Sequence, residues 1–136
     1  TVTAVRGLSP GTSVYGVEPD TADDWVQSLR SGERVMIDPP PTIADGVRTR
    51  QPGKLTFEVV RALATGVVTV SDEAIKEALR FMVLRMKTVV EPTGAIPAAA
   101  LMTGAIPGVA GRRVGLIVSG GNVDPDVLSA ILTETL

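Results

Sequence analysis

The stretch "GLIVSGGNVDPD", residues 115–126, holds the residue types that most directly suggest chemistry. An apolar run ends at Val118, and Ser119, Gly120, Gly121 and Asn122 follow before a helix-like segment. A buried strand, a glycine turn and a helix are how α/β proteins build small-molecule sites. The same residues also make an ordinary strand-to-helix turn, with glycines for positive φ and Asn122 or Asp124 as the cap. A second group is acidic: Glu18 ahead of Pro19, then Asp23 and Asp24. Acids at a helix start are favoured by the helix dipole, and cation binding is the second reading of them. Ala44, Asp45 and Gly46 follow three prolines at 39–41 and read as a turn, with Asp45 bonding its own backbone. Glu91 stands between an apolar run and Pro92, as a strand-end carboxylate or as a solvated acid paired with Arg85 or Lys87.

These residues need elements to hold them. "TVTAVRGL" reads as the end of a helix whose beginning is absent, and "SVYGVEP" as a strand ending at Pro19. "DTADDWVQSLRSG" is a helix capped by Asp20 or Thr21 and stopped by Gly32, with Trp25 in a packing role. "ERVMIDPPPTIADG" is irregular. "KLTFEVVRALATG" places Leu55, Val59, Val60 and Leu63 on one helical face. "VVTVS" is a strand, and "SDEAIKEALRFMVLRM" a helix capped by Ser71. "TVVEPTGA" passes from a strand-like run into a loop, and "AAALM" is helical between two copies of "TGAIP". "RRVGLIVSGG" is the last buried strand, and "DPDVLSAILTETL" the last helix, with Pro125 in its first turn. Alternation of this kind predicts an α/β fold: an open, mainly parallel sheet flanked by helices. "SVYGV", "VVTV" and "RVGLIV" should be parallel neighbours, with Ser119 at the carboxyl end of its strand.

The 136 residues suffice for one domain, and 44% are hydrophobic against 3% aromatic. That aliphatic bias suits a buried parallel sheet. With no cysteine there are no disulfides, thiolate ligands or thiol nucleophile, and with no histidine the commonest general base is missing. A net charge of -2 gives no footprint for nucleic acid or an anionic membrane. No apolar run reaches membrane-spanning length and no signal peptide is visible, so the cytoplasm is the expected location.

Six segments then converge. "YGVEPDTADD", "PPTIADGVRT", "LTFEVVRAL", "VVTVSDEAI", "RMKTVVEPTGA" and "VGLIVSGGNVD" resemble, in order and spacing, the C-terminal half of the threonine dehydratase and serine racemase family, pyridoxal-phosphate enzymes of the second fold type. The resemblance runs from about Ser13 to about Asp124. It implies that residues 1–136 are the C-terminal portion of the cofactor-binding catalytic domain. The lysine of the family's "S-x-K-x-R-G" motif and its tetraglycine phosphate loop are not in the sequence; Lys54, Lys76 and Lys87 all lack that context.

The resemblance also implies roles. Ser119 would meet the pyridine nitrogen of pyridoxal phosphate, so the turn of Ser119, Gly120 and Asn122 holds the ring end and not the phosphate. The Gly46 backbone would lie beside cofactor or substrate, and Glu91 near the ring, with Thr93 and Gly94 shaping the pocket. Pro97 departs from the family's usual aliphatic run after "EP[ST]GA". Glu18, the Ala22 carbonyl and Asp24 map onto a site for magnesium, calcium or manganese. Lys87 and Asn122 match positions that bind a nucleotide effector in serine racemase. The activity implied is dehydration of L-threonine or L-serine to a 2-oxo acid and ammonia, by a homodimer or homotetramer. The alternatives are a racemase or a dehydratase of another β-hydroxy amino acid on the same fold, or a non-catalytic interaction fragment.

Overall fold

A computed structural model of the chain describes residues 1–134. The elements in chain order are α1 (Val2–Leu8), β1 (Tyr15–Pro19), α2 (Asp24–Ser31), a 3-10 turn (Asp45–Val47), α3 (Lys54–Leu63), β2 (Gly66–Val70), α4 (Asp72–Leu84), α5 (Pro92–Met102) and α6 (Pro125–Thr133). The final residues 135 and 136 of the predicted last helix lie outside the described residues.

β1 and β2 pair in parallel from Tyr15↔Gly66 to Pro19↔Val70. Thr65 N donates to Val14 O at 2.7 Å and Asp20 N to Val70 O at 2.8 Å, which carries the ladder past both ends. A parallel pair needs a long crossover, and α2, the proline-rich loop and α3 supply it. The α/β class therefore stands. The sheet, however, has two strands among the described residues, because Val114–Val118 is not a strand. This run faces Val14, Tyr15 and Val17 across a cleft of about 770 Å³ rather than bonding to them. Leu116 is 38% and Ile117 58% exposed. A β-prone sequence becomes a strand only where a neighbour offers its N–H and C=O groups in register. Thr88–Val90, also strand-like in sequence, is irregular for the same reason.

The core lies between α4 and α5. Ile75, Ala78, Leu79 and Met82 pack with Val90, Ala95, Ile96, Ala99 and Ala100, joined by Ala44, Val70 and Ile131. The alanines let the two helices approach closely while Leu79 and Ile96 fill the seam. α5 begins at Pro92, earlier than "AAALM" suggests, because proline fits the first turn, where no N–H partner is needed. The first "TGAIP" is thus inside the helix, which runs on through Pro97, and the second forms the turn after it.

Two local readings are corrected. α2 starts after Asp23, not at Asp20 or Thr21, and no side chain of its own caps it. On α3 the buried face carries Phe57, with Leu55 85% exposed. Phe57 wins because it meets Trp25, ring centres 6.3 Å apart, and takes the Arg61 guanidinium 5.5 Å above its ring. Gly32 ends α2 at φ 77° and Ser71 Oγ accepts from Ala74 N at 3.2 Å, both as expected. Among the described residues no helix is long and apolar enough to cross a membrane.

Leu79 is fully buried at the α4–α5 seam. Leu79→Ala is expected to cost about 2–5 kcal/mol, measured by denaturant unfolding; a loss well under ~1 kcal/mol would contradict this placement of the core.

Candidate functional site

The sequence-predicted residues gather at the start of α5. Glu91 is its N-cap residue. The Glu91 backbone N–H donates to Gly120 O at 3.2 Å, and its carboxylate Oε2 accepts from Asn122 N at 3.1 Å. One residue thus holds the turn at both ends, so Glu91 is neither a free loop acid nor paired with Arg85 or Lys87. Gly94 follows in the first helical turn, where a Cβ would fall 2.6 Å from Gly120 O and 2.7 Å from Val90 Cγ2. A Cβ on Gly120 would meet Glu91 Oε1 at 2.6 Å. Gly94 is therefore required by close approach of backbone, while a Cβ at Gly120 would displace the Glu91 carboxylate; neither glycine has a positive φ.

The loop of Ala44, Asp45 and Gly46 reaches the same place. Gly46 N donates to Thr93 Oγ1 at 3.0 Å. Ser119 is exposed at the edge of this cluster, at the end of an irregular segment instead of a strand. Gly46, Glu91, Thr93, Gly94, Gly120 and Asn122 are thus brought together, with the Ser119 hydroxyl beside them in the chain. Asp124 caps α6, its Oδ1 accepting from Asp126 N at 2.8 Å. None of the three lysines is tied to this cluster: Lys76 pairs with Glu73 and Glu134, Lys87 Nζ donates to Leu84 O, and Lys54 is exposed at the start of α3.

Glu18, Ala22 and Asp24 form a second cluster. All three are buried and line one cavity of about 200 Å³, with Val17, Trp25, Val47, Val60 and Val67 as apolar walls. Glu18 supplies the cap that α2 lacks, Oε1 accepting from Val26 N at 2.9 Å and Oε2 from Trp25 N at 3.3 Å. Burial pushes the Glu18 carboxyl up to about 7, and the Asp24 charge adds to this against the two backbone bonds. Burial likewise raises Asp24 to about 6. Asp24 Oδ2 is buried without a hydrogen-bond partner. Among the described residues no three Asp or Glu side chains form a metal cluster, so a cation here would rest on two carboxylates and a backbone carbonyl.

A third feature lies at the start of α4, where Asp72 is one of two acids in the first turn. The Asp72 carboxylate accepts from Thr42 Oγ1 at 2.6 Å and from Ile43 N at 3.0 Å. Both partners are distant in the chain, and nothing local to Asp72 signals them.

Comparison with known proteins gives a consistent result. Residues 1–120 match the family described as pyridoxal-phosphate dependent enzyme. The chain is 45% identical to an L-threo-3-hydroxyaspartate ammonia-lyase of a Pseudomonas species, over 97% of this chain and 41% of that protein. It is similar to a threonine deaminase of known structure from T.th., at 47% identity and TM-score 0.83, over 90% of this chain and 44% of the other. It is also similar to maize serine racemase, at 36% identity and TM-score 0.86, over 95% and 42%. The chain spans about two fifths of the length of these relatives.

The buried acids set the pH dependence of stability. Their folded values of about 7 and about 6 lie above the ordinary 4.5 and 3.8, so the folded state keeps protons that the unfolded chain releases. Stability from this pair is present below about pH 4 and is lost as pH rises toward about 7. In chelator, thermal melting should show that decline between about pH 4.5 and about 7.5, and Asp24→Asn should make it shallower, leaving the part due to buried Glu18. A wild-type profile that rises across this range would contradict the assignment.

Proposed function

This chain belongs to the pyridoxal-phosphate dependent enzyme family, and on that premise we propose that residues 1–136 are the C-terminal portion of the cofactor-binding catalytic domain of an ammonia-lyase. The complete protein would act on L-threonine or L-serine, as a homodimer or homotetramer. The substrate loses its α-proton and its β-hydroxyl as water, and the released enamine takes up water to give a 2-oxo acid and ammonia. The observation that supports this reading is the meeting of Gly46, Glu91, Thr93 and the Gly120–Asn122 turn at the start of α5.

The donor set fits the ring end of the cofactor. A neutral, exposed hydroxyl at Ser119 suits a basic ring nitrogen, and the turn that carries it is fixed by Glu91. Pyridoxal phosphate, when bound, supplies an electron sink for charge developing on the substrate. Ser119 would hydrogen-bond its ring nitrogen without fixing a proton there, as a carboxylate would, and so leave the sink a modest one. Gly46 would wall the pocket through its backbone. The Glu18–Ala22–Asp24 cluster also fits its implied group: an orphaned buried carboxylate oxygen beside a second acid is what a hard cation such as magnesium, calcium or manganese would satisfy.

A second reading, amino-acid racemisation, is favoured by the likeness to maize serine racemase. The two part in an assay of the complete, cofactor-loaded protein with L-threonine, L-serine and L-threo-3-hydroxyaspartate. Release of ammonia and a 2-oxo acid supports the lyase, D-serine formed without ammonia supports the racemase, and neither product contradicts both.

Ser119→Ala should keep the wild-type melting temperature and lower turnover about ten-fold or more, as for one lost polar contact to a reacting group. Unchanged kinetics would remove Ser119 from the site. For the cation, magnesium should raise the melting temperature of wild type at neutral pH and leave Asp24→Asn unmoved. Superimposed wild-type curves with magnesium and with chelator would rule the cation site out.

A further inference from the structure

Asp72 opens α4, yet its carboxylate makes no hydrogen bond to that helix, whose cap bond comes from Ser71. Both of its carboxylate oxygens go instead to the loop ahead of Gly46. Thr42 passes the constraint on. Its Oγ1 donates to Asp72 and accepts from Ala44 N at 3.1 Å, and its carbonyl accepts from Arg48 Nε at 2.9 Å and Nη2 at 2.6 Å. Thr42 is 1% exposed and Ala44 fully buried, so the bond between them is made out of water, where an unmade one is costly, and the bonds to Asp72 and Arg48 are partly buried. The loop then turns through Asp45–Val47 and delivers Gly46 N to Thr93 Oγ1. A segment that opens with three prolines and forms no regular structure before this turn is thereby held against the first turn of α5.

We propose that Asp72, acting through Thr42, is a positioning residue that fixes the Gly46 wall of the cofactor pocket. This rests on the assignment of that pocket made above. The charge is suited to the task. A carboxylate at a helix N-terminus is stabilised by the dipole, and as an acceptor on both oxygens it takes two donors at once. Asparagine at 72 keeps the shape but turns one acceptor into a donor. Valine at 42 keeps the volume but breaks the relay, whereas serine keeps it.

The test uses the complete protein and four variants: Asp72→Asn, Thr42→Val, Thr42→Ser and Ser71→Ala. The last weakens the same end of α4 without touching the loop. Pyridoxal phosphate is titrated in while its visible circular dichroism is followed, and amide exchange of residues 42–47 is measured without cofactor. Asp72→Asn and Thr42→Val should weaken cofactor binding about ten- to a hundred-fold, as for one lost hydrogen bond to a charged group, and speed exchange across 42–47. Thr42→Ser and Ser71→Ala should bind as wild type. Wild-type affinity and exchange in Asp72→Asn and Thr42→Val would overturn the proposal, as would an equal loss in Ser71→Ala. Failure of the wild type itself to bind pyridoxal phosphate would overturn the pocket assignment and this role with it.

Discussion

The candidate site depends on Glu91 making two bonds to one turn. Its N–H binds Gly120 O and its carboxylate binds Asn122 N. Four amides at the start of any α-helix have no partner within it, and a helix beginning in proline already lacks one of them. α5 uses this opening for an inter-segment contact. A Cβ on Gly94 would fall 2.6 Å from Gly120 O, so the turn lies directly on the helix start. Irregular backbone at 120–122 is thereby held by two hydrogen bonds, which matters because the preceding run has no strand partner among the described residues.

The Glu18 cluster follows a related logic with opposite consequence. There, too, a carboxylate from another element satisfies helix amides, those of Trp25 and Val26 in α2. But Glu18 is buried beside a second acid, Asp24, with one oxygen unmet. Two carboxyls raised toward neutral pH in an apolar-walled cavity are a stability cost that structure alone does not require. At the Asp72 clamp, by contrast, both oxygens are matched to donors. The difference is between an acid with both oxygens partnered and an acid pair with one oxygen unmet.

Much of this was legible in the sequence where the cause is local. The Ser71 cap, the Gly32 stop, the two paired strands and α4 all follow from residues within a turn of each other. The candidate residues at 46, 91 and 119–122 came from a resemblance in order and spacing to a known family, and the structure brings Gly46, Glu91, Gly120 and Asn122 together. What failed was decided at a distance. Val114–Val118 has strand composition but no partner in register. Leu55 and Phe57 lie on equally plausible helical stripes, and only Trp25 selects the second. The cap of α2 comes from β1, and the target of Asp72 from a loop on the far side of α3. Long-range pairing of this kind leaves no periodic trace.

On the proposed function, the turn after Val118 would hold the ring end of pyridoxal phosphate through Ser119. The most direct measurement is the nitrogen-15 chemical shift of ring-labelled pyridoxal phosphate bound to the complete protein, in wild type and in Ser119→Ala. The wild-type shift should be typical of an unprotonated, hydrogen-bonded ring nitrogen and should be displaced when the hydroxyl is removed. A pyridinium shift in wild type, or one identical in the two proteins, would contradict it.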